Sequence, residues 1–244
     1  MSIQGRGIVV TRPRDLAEAF ARLLEQRGAR AFVFPAIEIQ PLPAPAALGR
    51  IADFDLVVFV SPSAVRVALP AMPRWPSALA AAAIGAGTAR ELERSGIGPV
   101  IAPAAGADSE ALLAAPPLQK MAGRRVLIVR GEDGRAVLGE SLTARGARVE
   151  YAECYRRVRP VIDAGPMLAA WRRGEVHAVT VLSAQALDNF LAMTDGALAA
   201  APLFVPHERI ARHARDRGLR EAIVAERGDD GLIERLVAYF HGRN

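Results

Sequence analysis

Hydroxyls, glycines and arginines recur where the short apolar runs of this chain end. Thr11-Arg12-Pro13 follows Val9-Val10, Ser61-Pro62-Ser63 follows Leu56–Val60, and Gly85-Ala86-Gly87-Thr88 follows Ala80–Ile84. Arg130-Gly131 follows Val126–Val129, Ser183-Ala184-Gln185 follows Ala178–Leu182, and Pro206-His207-Glu208-Arg209 follows Leu203–Val205. In open α/β folds such strand ends line the ligand crevice, and the helices that follow aim backbone N–H groups at anions. Neutral donors and arginines there suit carboxylates or phosphates. The candidate binding residues are Arg12, Ser61, Ser63, Gly85, Gly87, Thr88, Arg130, Ser183, Ala184, Gln185, His207 and Arg209. Serine in these places also caps helices, and one residue can do both. Tyr155, within AECYRRVRP, adds a phenol on an extended segment. Its ordinary reading is an aromatic packing residue with a hydrogen-bonded hydroxyl.

Other chemistries find little support. His177, His207, His213 and His241 show no metal-ligand spacing with the one cysteine, Cys154, so no metal is expected. His213 and His241 lie on expected helices and read as surface residues. GAGT lacks the third glycine of a dinucleotide fingerprint, Arg90 standing in its place, and neither a P-loop nor a Gly-x-Ser-x-Gly elbow occurs. Cys154 lies inside an apolar strand and reads as a buried, inert thiol. Asp108-Ser109 and Asp229-Asp230 precede helices and read as caps.

The elements that would carry these residues alternate. Strands are expected at Gly7–Thr11, Ala31–Phe34, Leu56–Val60, Ala80–Ile84, Val100–Ala102, Val126–Val129, Val149–Ala152, Ala178–Leu182, Leu203–Val205 and Ala222–Val224. Helical spacing lies between most of them, beginning with Leu16, Phe20, Leu23 and Leu24. Continuous apolar strands separated by helices imply parallel sheets covered on both faces. The chain also repeats itself. Arg12 matches Arg130 and RGAR at Arg27–Arg30 matches Arg145–Arg148, 118 positions on; Ser61 matches Ser183 and Gly96 matches Gly218, 122 positions on. Two copies of one fold, with about five strands each as in flavodoxin-like domains, follow from this. Facing copies would form a ligand cleft.

A linear cut near residue 120 conflicts with two long extended segments, Phe32–Leu42 and Val149–Val161, with Pro41, Pro43 and Pro45 after the first and Pro160 near the end of the second. Side by side, these would form a two-stranded extended connector. The domains expected are a discontinuous 1–39 plus 160–244 and an inserted 40–159.

Composition sets the class. The 244 residues are 51% hydrophobic, enough for two cores, and no apolar run reaches the roughly 18 residues that span a bilayer. The N-terminus lacks a secretory pattern, and the lone cysteine fits a reducing compartment, so a cytoplasmic protein with no membrane partner is expected. The net charge of +5 is carried almost wholly by arginine, Lys120 being the one lysine. That balance is compatible with an anionic ligand, but aromatics make up only 5%, which argues against nucleic acid.

Six segments together resemble the uroporphyrinogen-III synthase family. They are VVTRP at Val9–Pro13, FDLVVFVSPSAV at Phe54–Val65, AIGAGTAREL at Ala83–Leu92, VLIVRGEDGR at Val126–Arg135, RGARVEYAECYRR at Arg145–Arg157 and VPHERIARHARDRG at Val205–Gly218. The resemblance implies two flavodoxin-like domains joined by a two-stranded connector, and closure of hydroxymethylbilane with inversion of ring D and loss of water. It implies no cofactor, places the reaction on the way to haem, sirohaem and cobalamin, and makes Tyr155 the candidate acid for the departing hydroxyl. Ser61, Ser63, Thr88 and Ser183 would meet the substrate's acetate and propionate groups. Where many relatives carry Thr-Ser-Ser, this chain has Leu182-Ser183-Ala184, with Gln185 as a substitute donor. A monomer is expected, because one chain makes the whole cleft. The competing reading is a non-catalytic two-lobed binding protein for an anionic small molecule.

Overall fold

A computed structural model describes residues 3–106, 108–132, 134–225 and 228–241. The strands are β1 (Gly7–Val10), β2 (Arg30–Val33), β3 (Glu38–Pro41), β4 (Leu56–Phe59), β5 (Ala80–Ala83), β6 (Val100–Ile101), β7 (Arg125–Gly131), β8 (Arg148–Val158), β9 (Ala178–Thr180), β10 (Leu203–Val205) and β11 (Ala222–Val224). The helices are α1 (Arg14–Gln26), α2 (Ala46–Gly49), α3 (Pro62–Ala68), α4 (Ala86–Arg94), α5 (Ser109–Leu113), α6 (Val137–Ala144), α7 (Gly165–Arg172), α8 (Ala184–Met193), α9 (Glu208–Asp216) and α10 (Gly228–His241). The chain divides into two compact units, Met1–Glu38 with Val158–Asn244, and Ile39–Arg157.

In the first unit the sheet runs β11-β10-β9-β1-β2, every neighbouring pair parallel. Ile8, Val9 and Val10 of β1, an interior strand between β9 and β2, are fully buried, since helices cover both faces. On one face Phe20 and Leu24 of α1 join Leu232, Leu236 and Phe240 of α10.

The second unit's sheet runs β3-β8-β7-β4-β5-β6, parallel from β8 to β6. Strand alternation sorts its core. Val57, Phe59, Leu127 and Val129 pack with Ala64, Val65 and Leu92 of α3 and α4, while Leu56, Val58, Val126 and Ile128 pack with Leu112 and Leu142 of α5 and α6.

Two expectations need correction. This sheet has six strands rather than five, because β3 adds an edge beside β8; the Leu42 N–H donates to the Cys154 carbonyl at 2.9 Å. Phe32–Leu42 is also not one extended segment: β2 and β3 belong to different sheets. Pro35 between them has no N–H for a ladder, and Phe34 turns inward to meet Phe190 edge-on at 5.9 Å. The second segment is extended in one strand as far as Val158, the eleven-residue β8, and Arg159–Val161 lie beyond its end.

The repeat acquires a topology. At the 118-residue offset β1-α1-β2 matches β7-α6-β8, and at the 122-residue offset β4–β6 match β9–β11. The sheets then have the same spatial order, β2-β1-β9-β10-β11 and β8-β7-β4-β5-β6. The two blocks come in opposite chain order, so one unit is a circular permutation of the other.

Candidate functional site

The candidate residues lie at the C-terminal edges of the two parallel sheets, in two groups. Ser61, Ser63, Gly85, Gly87, Thr88, Arg130 and Tyr155 belong to the second unit; Arg12, Ser183, Ala184, Gln185, His207 and Arg209 belong to the first.

In the second unit, β4 ends at Phe59 and Ser61 opens α3 as its N-cap, with Pro62 at the first helical position. The Ala64 N–H donates to Ser61 Oγ at 3.0 Å. The same Oγ lies 3.0 Å from the hydroxyl of Tyr155 on β8. Tyr155 is 3% exposed, its ring sharing the core with Ala152 and Cys154. Gly131 makes room for that ring: a Cβ there would fall 2.6 Å from Tyr155 Cε2. The sequence reading left Gly131 out of the candidate set, because only the packing reveals the close approach. Ser63 and Thr88 are buried. Gly85 is the N-cap of α4, and its carbonyl accepts from the Thr88 and Ala89 N–H groups at 3.1 Å each. Gly87 is exposed on the first turn of α4, with open space around the position of a Cβ. Arg66 Nε donates to Glu91 Oε1 at 2.6 Å, tying α3 to α4. That hydrogen bond holds the Glu91 carboxyl below its ordinary value, against the opposing effect of burial.

The matched arginines share one arrangement. Arg12, 8% exposed, lies 4.0 Å over the Phe20 ring and pairs through Nη2 with Asp229 at 2.7 Å. Its Nε is buried without a hydrogen-bond partner. Arg130 lies 4.0 Å over the Tyr151 ring, pairs through Nη2 with Glu153 at 2.7 Å and donates to the Gly134 carbonyl at 3.0 Å. Each guanidinium is thus stacked and paired within its own unit. Asp229 was expected as a cap; it sits in the first turn of α10 and serves Arg12 instead. Asp108 is the cap expected, accepting from the Ala111 N–H at 2.8 Å.

In the first unit Ser183 caps α8, accepting from the Ala186 N–H at 3.1 Å. Ala184 begins that helix half-buried, and Gln185 is exposed. His207 is the N-cap residue of α9 but makes no side-chain capping bond, and Arg209 is exposed. His213, half-buried on α9, lies 2.9 Å from Asp188 through Nε2. Burial pushes the Cys154 thiol up to about 11, in keeping with an inert thiol. Among the described residues no three His, Cys, Asp or Glu side chains cluster to hold a metal, and no helix is long and apolar enough to cross a membrane. A cavity of about 620 Å³ near Arg74, Trp75 and Pro99 opens at the N-terminal end of β5 and contains none of the candidates.

The family model described as uroporphyrinogen-III synthase HemD matches residues 18–234. The chain belongs to the uroporphyrinogen-III synthase family. It is 36% identical to the uroporphyrinogen-III synthase of Salmonella typhimurium and 34% identical to that of Escherichia coli, each alignment covering 94% of this chain and 99% of the relative. In fold it is similar to uroporphyrinogen-III synthetase from Helicobacter pylori, with a TM-score of 0.64 at 14% identity over 96% of this chain and 99% of that one. A mutant uroporphyrinogen III synthase from Thermus thermophilus gives a TM-score of 0.58 at 22% identity, covering 98% of both chains. Family membership thus rests on sequence along nearly the whole chain, and the two-sheet α/β architecture agrees with it.

Proposed function

We propose that this chain closes linear hydroxymethylbilane to uroporphyrinogen III, inverting ring D and releasing water. It acts as a cyclising lyase of tetrapyrrole biosynthesis. The observation that carries this reading is the family match over residues 18–234.

This reading carries a mechanism. The substrate's eight carboxylates suit helix N-termini, hydroxyls and arginines, and both sheets present these at their C-terminal edges. Tyr155 gives its proton to the hydroxyl as that group leaves, forming water and an azafulvene cation. The substituted carbon of ring D attacks the cation to give a spiro intermediate, which fragments and recloses through the other α-carbon. The proton lost as that pyrrole regains aromaticity returns to the phenolate. The protein's main task is to hold ring D for the inverted closure, because the unguided molecule closes without inversion. Backbone N–H groups at the starts of α4, α8 and α9, with Ser63, Thr88, Ser183, Gln185, His207 and Arg209, contact the acetate and propionate groups.

The two units are read as two flavodoxin-like domains. The order β2-β1-β9-β10-β11 supports this, because numbered within its unit it is the 2-1-3-4-5 order of that fold. Strands β3 and β8 are read as the connector, since both unit boundaries fall within them. The protein is read as a cytoplasmic monomer that needs no cofactor.

The test is to supply freshly generated hydroxymethylbilane, oxidise the products and separate the porphyrin isomers. A dominant type III isomer is expected. Type I alone, as in an enzyme-free control, would leave the non-catalytic binding protein in its place.

A further inference from the structure

Ser61 makes two contacts, and capping explains only one. A serine hydroxyl has one proton to give and two lone pairs to accept with. The Ala64 N–H, which can only donate, occupies one lone pair at 3.0 Å. Tyr155 Oη, at 3.0 Å, takes a second position, and either oxygen could donate there.

The internal repeat provides a comparison. Ser183 matches Ser61 at the 122-residue offset and caps α8 in the same way, through the Ala186 N–H. At the 118-residue offset the position of Tyr155 is filled by Ile37, which has no hydroxyl. A serine caps its helix there with no phenol opposite. The Ser61–Tyr155 contact is therefore additional to what the fold needs at this turn.

Polarisation favours one direction for that contact. A hydroxyl that accepts from an N–H becomes a stronger donor, so bonds in a chain reinforce one another. The chain then runs from the Ala64 N–H to Ser61 Oγ and from the Ser61 O–H to Tyr155 Oη. In the reverse direction the Ser61 proton would have to find another acceptor.

We propose that Ser61 is a positioning residue for Tyr155: it donates to the phenol oxygen, turns the phenol proton away from itself, and stabilises the oxygen when that proton has left. This rests on Tyr155 being the acid in the reaction proposed above. The O–H bond of Tyr155 breaks, the proton joins the leaving hydroxyl as water, and the phenolate keeps the hydrogen bond from Ser61. The proton released at ring closure restores the phenol. Ser61 thus acts through Tyr155, where the sequence reading had it meeting a substrate carboxylate.

Steady-state kinetics on Ser61→Ala, Ser61→Thr, Tyr155→Phe and the Ser61→Ala/Tyr155→Phe double variant test this, with isomer analysis of each product. Ser61→Gly serves if Ser61→Ala folds poorly, because glycine is tolerated at an N-cap. The expected result is a kcat about tenfold lower for Ser61→Ala at unchanged KM, recovery in Ser61→Thr, and no further loss when Ser61→Ala is added to Tyr155→Phe. A raised KM at unchanged kcat would overturn the proposal in favour of a substrate contact. Additive losses in the double variant, or a Ser61→Ala protein as fast as the wild type, would also overturn it. Wild-type protein yielding only the type I isomer would instead remove the reaction on which it rests. Type III product from a Tyr155→Phe protein at the wild-type rate would keep the reaction and remove both Tyr155 as acid and Ser61 as its partner.

Discussion

The ring of Tyr155 lies against Gly131 so closely that a Cβ added to the glycine would sit 2.6 Å from Cε2 and 2.8 Å from Cζ. Gly131 closes β7 and Tyr155 lies on the neighbouring β8, at the point where their register shifts. Both atoms that a methyl group would strike belong to the carbon bearing the hydroxyl or to its neighbour. Gly131→Ala is therefore expected to move the phenol as well as to strain the core, at a stability cost of about 1–3 kcal/mol. Chemical denaturation would give the cost. Turnover should fall by more than the folded fraction does; an equal loss of both would mean the phenol's position is irrelevant.

Tyr155→Phe keeps the ring packing and deletes only the hydroxyl. Folding stability should change by about 1 kcal/mol, as for one hydrogen bond. Turnover should fall about 10²-fold, with product binding much less affected. The substrate's own pyrrole nitrogen helps expel the hydroxyl, which leaves a measurable residual rate. Equal losses in turnover and product binding would count against an acid role.

The sequence announced the alternation of strands and helices, and the matched serines at strand ends, because each depends on local pattern. Ser61 and Ser183 were legible as cap or ligand residues, and they do cap α3 and α8. Contacts between distant segments were not legible. Asp229 reads as a cap from its neighbours, yet its partner is Arg12, brought to it only by the packing of α10 against β1. The sixth strand was missed because Phe32–Leu42 reads in the sequence as a single extended run, and only the inward turn of Phe34 divides it between two sheets. The repeat offsets carried the two-copy architecture, but the permuted order of blocks needed the sheet pairings.

Gly87 has no local reason to be glycine. It lies in the first turn of α4 without a left-handed backbone, and a Cβ would meet open space. Glycine inside a helix is about 0.5–1 kcal/mol less stable than alanine, so Gly87→Ala should raise the melting temperature. If the open space receives a substrate carboxylate on the α4 backbone, the same change should raise KM several-fold. Thermal unfolding and KM measured together decide it: a stabilised protein with unaltered KM would place Gly87 outside the binding surface.

Arg12 offers its guanidinium plane to Phe20 and an edge to Asp229. Lysine keeps the charge but neither the flat face nor the fork of donors. Arg12→Lys is expected to cost about 1–2 kcal/mol in stability, measured by denaturant titration, despite conserving charge. An unchanged midpoint would show that charge alone is used at this site.

His177 couples stability to pH. Its Nδ1 accepts from the Gly7 N–H at 2.9 Å beside the start of β1, a contact that needs the neutral ring. Desolvation, and then the charge of Arg6, hold its pKa below the ordinary 6.5. Well above pH 6.5 the ring is neutral in both folded and unfolded chains and no proton distinguishes them. As the pH falls through that value the unfolded chain takes up a proton first, so it binds more protons and stability drops until the folded histidine also titrates. His177→Asn can keep a side-chain acceptor near Gly7 while removing the titration. The melting temperature of the wild type should fall faster than that of His177→Asn below pH 6.5. Parallel curves for the two proteins would place the acid sensitivity elsewhere.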